Sequence, residues 1–208
     1  MLRQARTFAR RQAGHWQVYA AFSKYSVDKE TVERMTLLDR VVLLERVLQS
    51  RRVGILLLNR GLYVEQARGI RAAFPQVRRL FFMVGFDKIV QILDPRYYVE
   101  RDAALYELFG LAHLLVAPRG TAGEQELAEL LARPENRPFA QSIHSLPLEE
   151  HYRHISSTQV RQNIQASALP LQARDFIWRT RPYTTPLDTG EEIDLYAERT
   201  RALQNLLN

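Results

Sequence analysis

Along the chain, apolar positions recur first at helical spacing and then in short continuous runs. The spacing predicts a helix over residues 2–13, closed by Gly14, and a strand at 16–23 ("WQVYAAFS"). A polar connection, "SVDKETVERMT", leads to a helix over 36–50, and "VGILLLN" (53–59) reads as a strand. Helix and strand then alternate. Residues 63–74 are helical up to Pro75, 79–87 form a strand, 99–112 are helical, and 113–119 form a strand ending at Pro118. Residues 123–133 are helical, 140–148 alternate like a strand, and helical runs follow at 157–166 and 170–178. A polar tail, "RTRPYTTPLDTG", precedes a last helix at about 191–207.

The predicted strands are apolar on both faces, which calls for a parallel α/β sheet covered on both sides by helices. Ligands of such sheets bind beyond the carboxyl ends of the strands. The residues that follow the strands here are Ser23 and Lys24, then Gly85 and Asp87, then Arg119, then the hydroxyl cluster Ser156, Ser157 and Thr158.

Composition narrows the classes. The chain has 208 residues, 46% of them apolar, with nine glycines and nine prolines, enough for one sizeable core. No apolar run approaches the roughly eighteen residues of a membrane span. The basic start, "MLRQARTFARRQAGHW", lacks the apolar centre and cleavage site of a secretory signal. Its Arg-rich amphipathic character also fits an organelle transit peptide, but an ordinary helix is the preferred reading. The absence of cysteine excludes disulfides and thiolate chemistry, and a cytoplasmic protein is expected. The net charge of +6 suits anionic partners. The basic residues are almost all Arg, Lys24, Lys29 and Lys88 being the three lysines. They are scattered, without the basic and aromatic interleaving that carries single strands, so nothing in them calls for nucleic acid.

The segment "HISSTQVRQNI" (154–164) concentrates the candidate chemistry. Ser156 is a good N-cap, with Gln159 at capping-box spacing. The first backbone N–H groups of such a helix have no partner within it, and its positive dipole end favours phosphate. Arg161 lies one turn beyond Thr158 on the same side, and its fork suits phosphate oxygens. The plain alternative is a well-capped helix with a solvent-facing Arg. "FFMVGFDK" ends a strand in Gly-x-Asp, where Gly85 lets a ligand approach the backbone and Asp87 accepts hydrogen bonds from ribose hydroxyls or caps the next helix.

Strand-Gly-x-Asp, then strand-Pro-Arg, then "ISSTQVR" resembles the nicotinamide/nicotinate mononucleotide adenylyltransferases of the nucleotidyltransferase superfamily. The resemblance covers residues 1–178, with "RGLYVEQARGIRAAFP" similar to the family's Tyr-bearing helix, and leaves 179–208 as a C-terminal tail and helix. It implies a Rossmann-like fold and transfer of an adenylyl group from ATP, with Mg²⁺, to a mononucleotide phosphate. Catalysis then rests on positioning and charge neutralisation. By position, Ser156, Ser157, Thr158 and Arg161 would hold ATP phosphates, with Arg119 near the phosphates or base and Lys29 a further phosphate contact. Gly85 and Asp87 would line the nucleotide ribose. Tyr97 and Tyr98 stand where the family often has a Trp stacked on the pyridine ring, and are read equally well as core tyrosines.

The family opens with a strand and a His-x-x-His motif that have no counterpart here. His151 and His154 have the spacing but precede the hydroxyl cluster instead, and read as a loop coincidence without a third metal ligand. The catalytic residues are therefore unassigned, and the expectation is a chain shortened at its N-terminus, with a gap in the middle of its sheet. Two other readings stay open: a non-catalytic nucleotide-binding module, and a nucleotidyltransferase with another acceptor such as phosphopantetheine. The tail helix, with Ile193, Leu195, Tyr196, Leu203, Leu206 and Leu207, packs on the domain or mediates self-association as a homo-oligomer.

Overall fold

A computed structural model describes residues 1–23, 37–51, 53–120, 122–148, 153 and 169–180. It is of the expected α/β class, Rossmann-like in its parallel strands alternating with helices, with a helical part towards the C-terminus. The chain divides into two compact units. One comprises Met1–Val18, Ser23–Val27 and Leu57–His154; the other comprises Tyr19–Phe22, Asp28–Leu56 and Ile155–Asn208. The 1–178 domain of the sequence reading takes in the first unit and part of the second.

The first unit is built on β3 (Phe81–Gly85), β4 (His113–Ala117) and β5 (Ile143–Ser145), hydrogen-bonded in that order. Both pairings are parallel, with Phe81 opposite His113, Gly85 opposite Ala117, and Leu115 opposite His144. Alternation sends Phe81, Met83, Leu115 and Ala117 to one face, where they pack with Leu146, Leu148 and Phe8 of α1 (Leu2–Arg11). Phe82 faces the other way and meets Tyr63 of α3 (Tyr63–Ala73) edge to face, 5.2 Å between ring centres. Phe82, Val84, Leu114 and Val116 are buried, which is why these runs carry no polar alternation.

Around the sheet, three arginines close helix C-termini, where the last carbonyls have no partner within the helix. Arg101 donates from Nε to Leu93 O, 2.8 Å, at the end of α4 (Phe86–Leu93). Arg71 donates twice to Leu111 O, 3.1 and 2.7 Å, at the end of α5 (Arg101–Leu111). Arg137 reaches Ala132 O, 3.4 Å, at the end of α6 (Glu124–Ala132). Cations at these ends also oppose the helix dipole favourably. Arg101 further donates to Glu135 O and to Asn136 Oδ1, and the buried Asn136 amide donates to Leu130 O, 2.9 Å. One side chain thus joins α4, α5 and the end of α6.

In the second unit, α2 (Leu37–Leu48) packs on α7 (Leu171–Thr180) through Val42 and Phe176, with Leu43 and Ile177 alongside. Arg46 and Asp175 flank that contact at 3.6 Å. β1 (Tyr19–Ser23) pairs with β2 (Gly54–Leu58). A Cβ at Gly54 would lie 2.6 Å from the Tyr19 ring, so the absence of a side chain there lets that ring lie against the neighbouring strand.

Some predicted boundaries move. The strand expected at 16–23 begins only at Tyr19, because Trp16 instead turns onto Phe81, 5.6 Å between ring centres. The strand expected at 140–148 shrinks to Ile143–Ser145, preceded by a 3₁₀ helix over Arg137–Ser142. Pro138 opens that helix, and buried Phe139 stacks on Phe109, 5.5 Å apart. The strand expected at 79–87 stops at Gly85, so Asp87 lies inside the first turn of α4 with Gly85 at its N-cap. The described strands form two separate sheets, β1–β2 and β3–β4–β5. The helices expected at 157–166 and 191–207 lie outside the described residues.

Replacing Arg101 by Met retains the apolar stem, whose head is 11% exposed, but strands its buried acceptors. The expected cost is about 2–4 kcal/mol, read as a lowered midpoint in urea unfolding, since an unsatisfied buried group costs about 1–3 kcal/mol.

Candidate functional site

Parallel register sets the geometry at the carboxyl ends of β3 and β4. Gly85 and Ala117 are level, and two residues beyond each stand Asp87 and Arg119. The structure brings these two together: Arg119 Nη1 donates to Asp87 Oδ2 in an ion pair. Both side chains face solvent, 66% exposed for Asp87 and 49% for Arg119, so the pair positions the groups more than it stabilises the fold.

Each partner is held from below. Asp87 rides on the first turn of α4, whose N-cap Gly85 supplies no side-chain hydrogen bond. The leading N–H groups of that helix therefore lie beside the pair without a side-chain cap, with the positive end of the helix dipole. Gly85 itself has ordinary extended backbone, and a Cβ there would meet nothing within 4 Å. The glycine thus serves clearance above the strand end, not backbone conformation. Arg119 is set in a tight turn: its N–H donates to Ala122 O and Ala122 N–H returns to Arg119 O, both at 2.9 Å. Gly120 takes φ +55° in this turn, a left-handed conformation natural to glycine, and its N–H donates to Arg153 O at 3.0 Å. Below the turn, the Gly123 N–H donates to the Glu126 carboxylate at 2.7 Å, and this bond holds the Glu126 carboxyl below its usual range.

Arg153 is a participant that sequence reasoning missed. It sits inside "HYRH", three residues before Ser156, and its Nε donates to Leu148 O, 3.3 Å. Its only sequence signal was that proximity to the hydroxyl cluster. Ser23, noted at the end of β1, gives its hydroxyl to Arg60 O, 2.6 Å, a carbonyl that Gln66 also binds at 3.1 Å. That arrangement ties down the turn between β2 and α3.

Tyr97 and Tyr98 lie past the opposite end of α4 from Asp87. The Tyr98 hydroxyl donates to Ile92 O, 2.7 Å, and burial pushes its ionisation up to about 12. Tyr97 lies under the Arg96 guanidinium, 5.9 Å from the ring centre. The described geometry gathers Gly85, Asp87 and Arg119 and leaves the two tyrosines apart. Lys29, Ser156, Ser157, Thr158, Arg161, His151 and His154 lie outside the described residues.

Chemically, the gathered groups offer a guanidinium fork for an anion, a carboxylate for hydroxyl donors, and open space over a glycine. Among the described residues, no group of three or more His, Asp or Glu is placed to hold a metal ion, and no helix is long and apolar enough to cross a membrane. Compared with known proteins, the chain matches no family model and no curated protein sequence.

Asp87→Asn and Arg119→Ala should each leave unfolding stability within about 1 kcal/mol of the parent, with a coupling of about 0.2–1 kcal/mol in a double-mutant cycle. Urea melts of the four proteins measure both quantities.

Proposed function

We propose that this chain binds ATP and a pyridine mononucleotide beyond the carboxyl ends of β3 and β4, as an adenylyltransferase-type protein. The observation that carries the reading is the meeting of Asp87 and Arg119 above Gly85, on adjacent parallel strands. A carboxylate and a guanidinium held at a strand-end crevice match the two parts of a nucleotide, ribose hydroxyls and phosphate. The resemblance assigns phosphate contacts to Arg161, Ser156, Ser157, Thr158 and Lys29 as well, all of which lie outside the described residues.

The reaction of this class needs no protein nucleophile. A phosphate oxygen of the mononucleotide attacks the α-phosphorus of ATP, the bond from that phosphorus to the bridging oxygen breaks, and pyrophosphate leaves with the electron pair. The protein aligns the two phosphates and offsets their charge. Mg²⁺ enters this reading with ATP, as the resemblance implies.

A second reading keeps the same binding groups without catalysis: a module that holds nucleotide and does not turn it over.

Calorimetric titration with ATP, and a coupled assay with nicotinamide and nicotinate mononucleotides, test both readings. Binding that weakens about tenfold or more in Arg119→Ala supports the site, since a charge-assisted hydrogen bond is worth about 1.5–3 kcal/mol. Gly85→Ala should weaken ATP binding while leaving stability unchanged, because its methyl enters the cleared space. Dinucleotide formation marks the enzyme, and binding without turnover marks the module. Absence of ATP binding, or binding indifferent to both substitutions, removes the proposal.

A further inference from the structure

At the amino ends of the same strands, three rings stack in a row across the sheet. Phe81 of β3 lies against His113 of β4, 5.2 Å between centres and 24° between planes, and His113 lies against His144 of β5, 5.6 Å and 25°. On the far side of Phe81 are Phe8 of α1, edge-on at 5.1 Å, and Trp16 at 5.6 Å. Arg79, just before β3, completes the assembly. It donates to Ala13 O at 3.1 Å and lies 5.0 Å over the Trp16 ring, while the Trp16 indole N–H donates to the same carbonyl at 3.1 Å. α1 and the segment after it are therefore fastened to the sheet through Phe81 and Arg79.

We propose that the His113–His144 stack is a protonation-sensitive clasp, which holds Trp16 and α1 on the β3–β4–β5 sheet when neutral and loosens them when it gains a proton. The geometry is hostile to an imidazolium. His113 Nδ1 is buried and has no hydrogen-bond partner among the described residues, whereas a charged ring must place a proton on both nitrogens. The groups that act on His113 are His144, from β5, and Arg79, from the segment ahead of β3, and each disfavours a charged ring there. From α1 and the segment after it come Phe8 and Trp16; that stretch carries no acidic residue, and its arginines are Arg3, Arg6, Arg10 and Arg11. A cation over Phe81 would gain some attraction from the ring face, but burial, His144 and Arg79 oppose it. The net effect holds His113 below the ordinary imidazole range, burial being the larger cause, then His144 and Arg79.

The sign follows from linkage. A histidine held lower in the folded protein contributes stability that is whole above its unfolded value, about 6.5, and that drains as pH falls below it. A proton on the stack also repels Arg79, the residue that grips Ala13 and Trp16. Release would uncover the face formed by Leu115, Ala117 and Leu146.

Trp16 and Trp178 are the two tryptophans, and Trp178 is 81% exposed on α7, so a Trp178→Phe protein reports on Trp16 alone. Its emission should shift to the red as pH falls from 8 to 5, with a midpoint below about 6.5. In His113→Phe, which keeps a ring in the stack, the shift should vanish. In His144→Gln, which removes the neighbouring imidazole, the midpoint should rise. Among the described residues His15, exposed and next to Trp16 in sequence, is a further imidazole near the reporter, and a shift it caused would survive His113→Phe. No shift in the parent, or a shift unchanged in His113→Phe, overturns the clasp. Should His113→Phe fail to fold, an unmoved midpoint in His144→Gln overturns it equally.

Discussion

The parallel pairing of β3 with β4 is the constraint from which the rest of the first unit follows. Five residues of each strand lie in register, from Phe81 opposite His113 to Gly85 opposite Ala117. Both faces are covered, α1 on one and α3 on the other. A slip of one residue would turn every side chain to the wrong face, so burial on two sides locks the register. That lock levels the strand ends and sets Asp87 beside Arg119. At the other ends of the same strands it sets Phe81 beside His113. The proposed nucleotide site and the proposed clasp both rest on that one pairing.

Part of the positive charge that first suggested an anionic partner serves contacts within the fold. Arg71, Arg101 and Arg137 give their protons to the last carbonyls of α5, α4 and α6, and Arg79 holds Ala13 O. Arg68 forms a two-pronged pair with Glu107 between α3 and α5. Arginine suits these tasks because its planar fork reaches two acceptors from a stem that packs on apolar surface. The net charge is thus a weaker indicator of partners than its size suggests. Arg119 is distinguished by its place at a strand end beside open space rather than by its charge.

The candidate site was readable where position along a strand decided it. Gly85, Asp87 and Arg119 follow apolar runs closely, and a parallel sheet must bring such residues to one edge. Tyr97 and Tyr98 were named from a family position alone. The structure puts them at the far end of α4, where the Tyr98 hydroxyl serves the backbone of Ile92. Arg153 escaped notice because its part is played by a backbone carbonyl, which no residue type advertises. The hydroxyl cluster and Arg161 rest on sequence and resemblance.

Most of the described helices and strands, their apolar faces and the parallel class were already present in the sequence, since periodicity is a local property and burial on both sides leaves no polar alternation; α4 was not, its first turn having been read as the end of a strand. Strand ends were not, because competing contacts decide them: Trp16 left its predicted strand for Phe81, and Pro138 with Phe139 shortened the last one. Nor was the division into two units, with β1–β2 and β3–β4–β5 as separate sheets. Pairing between strands far apart in the chain depends on which edges meet in space, and single residues do not encode that.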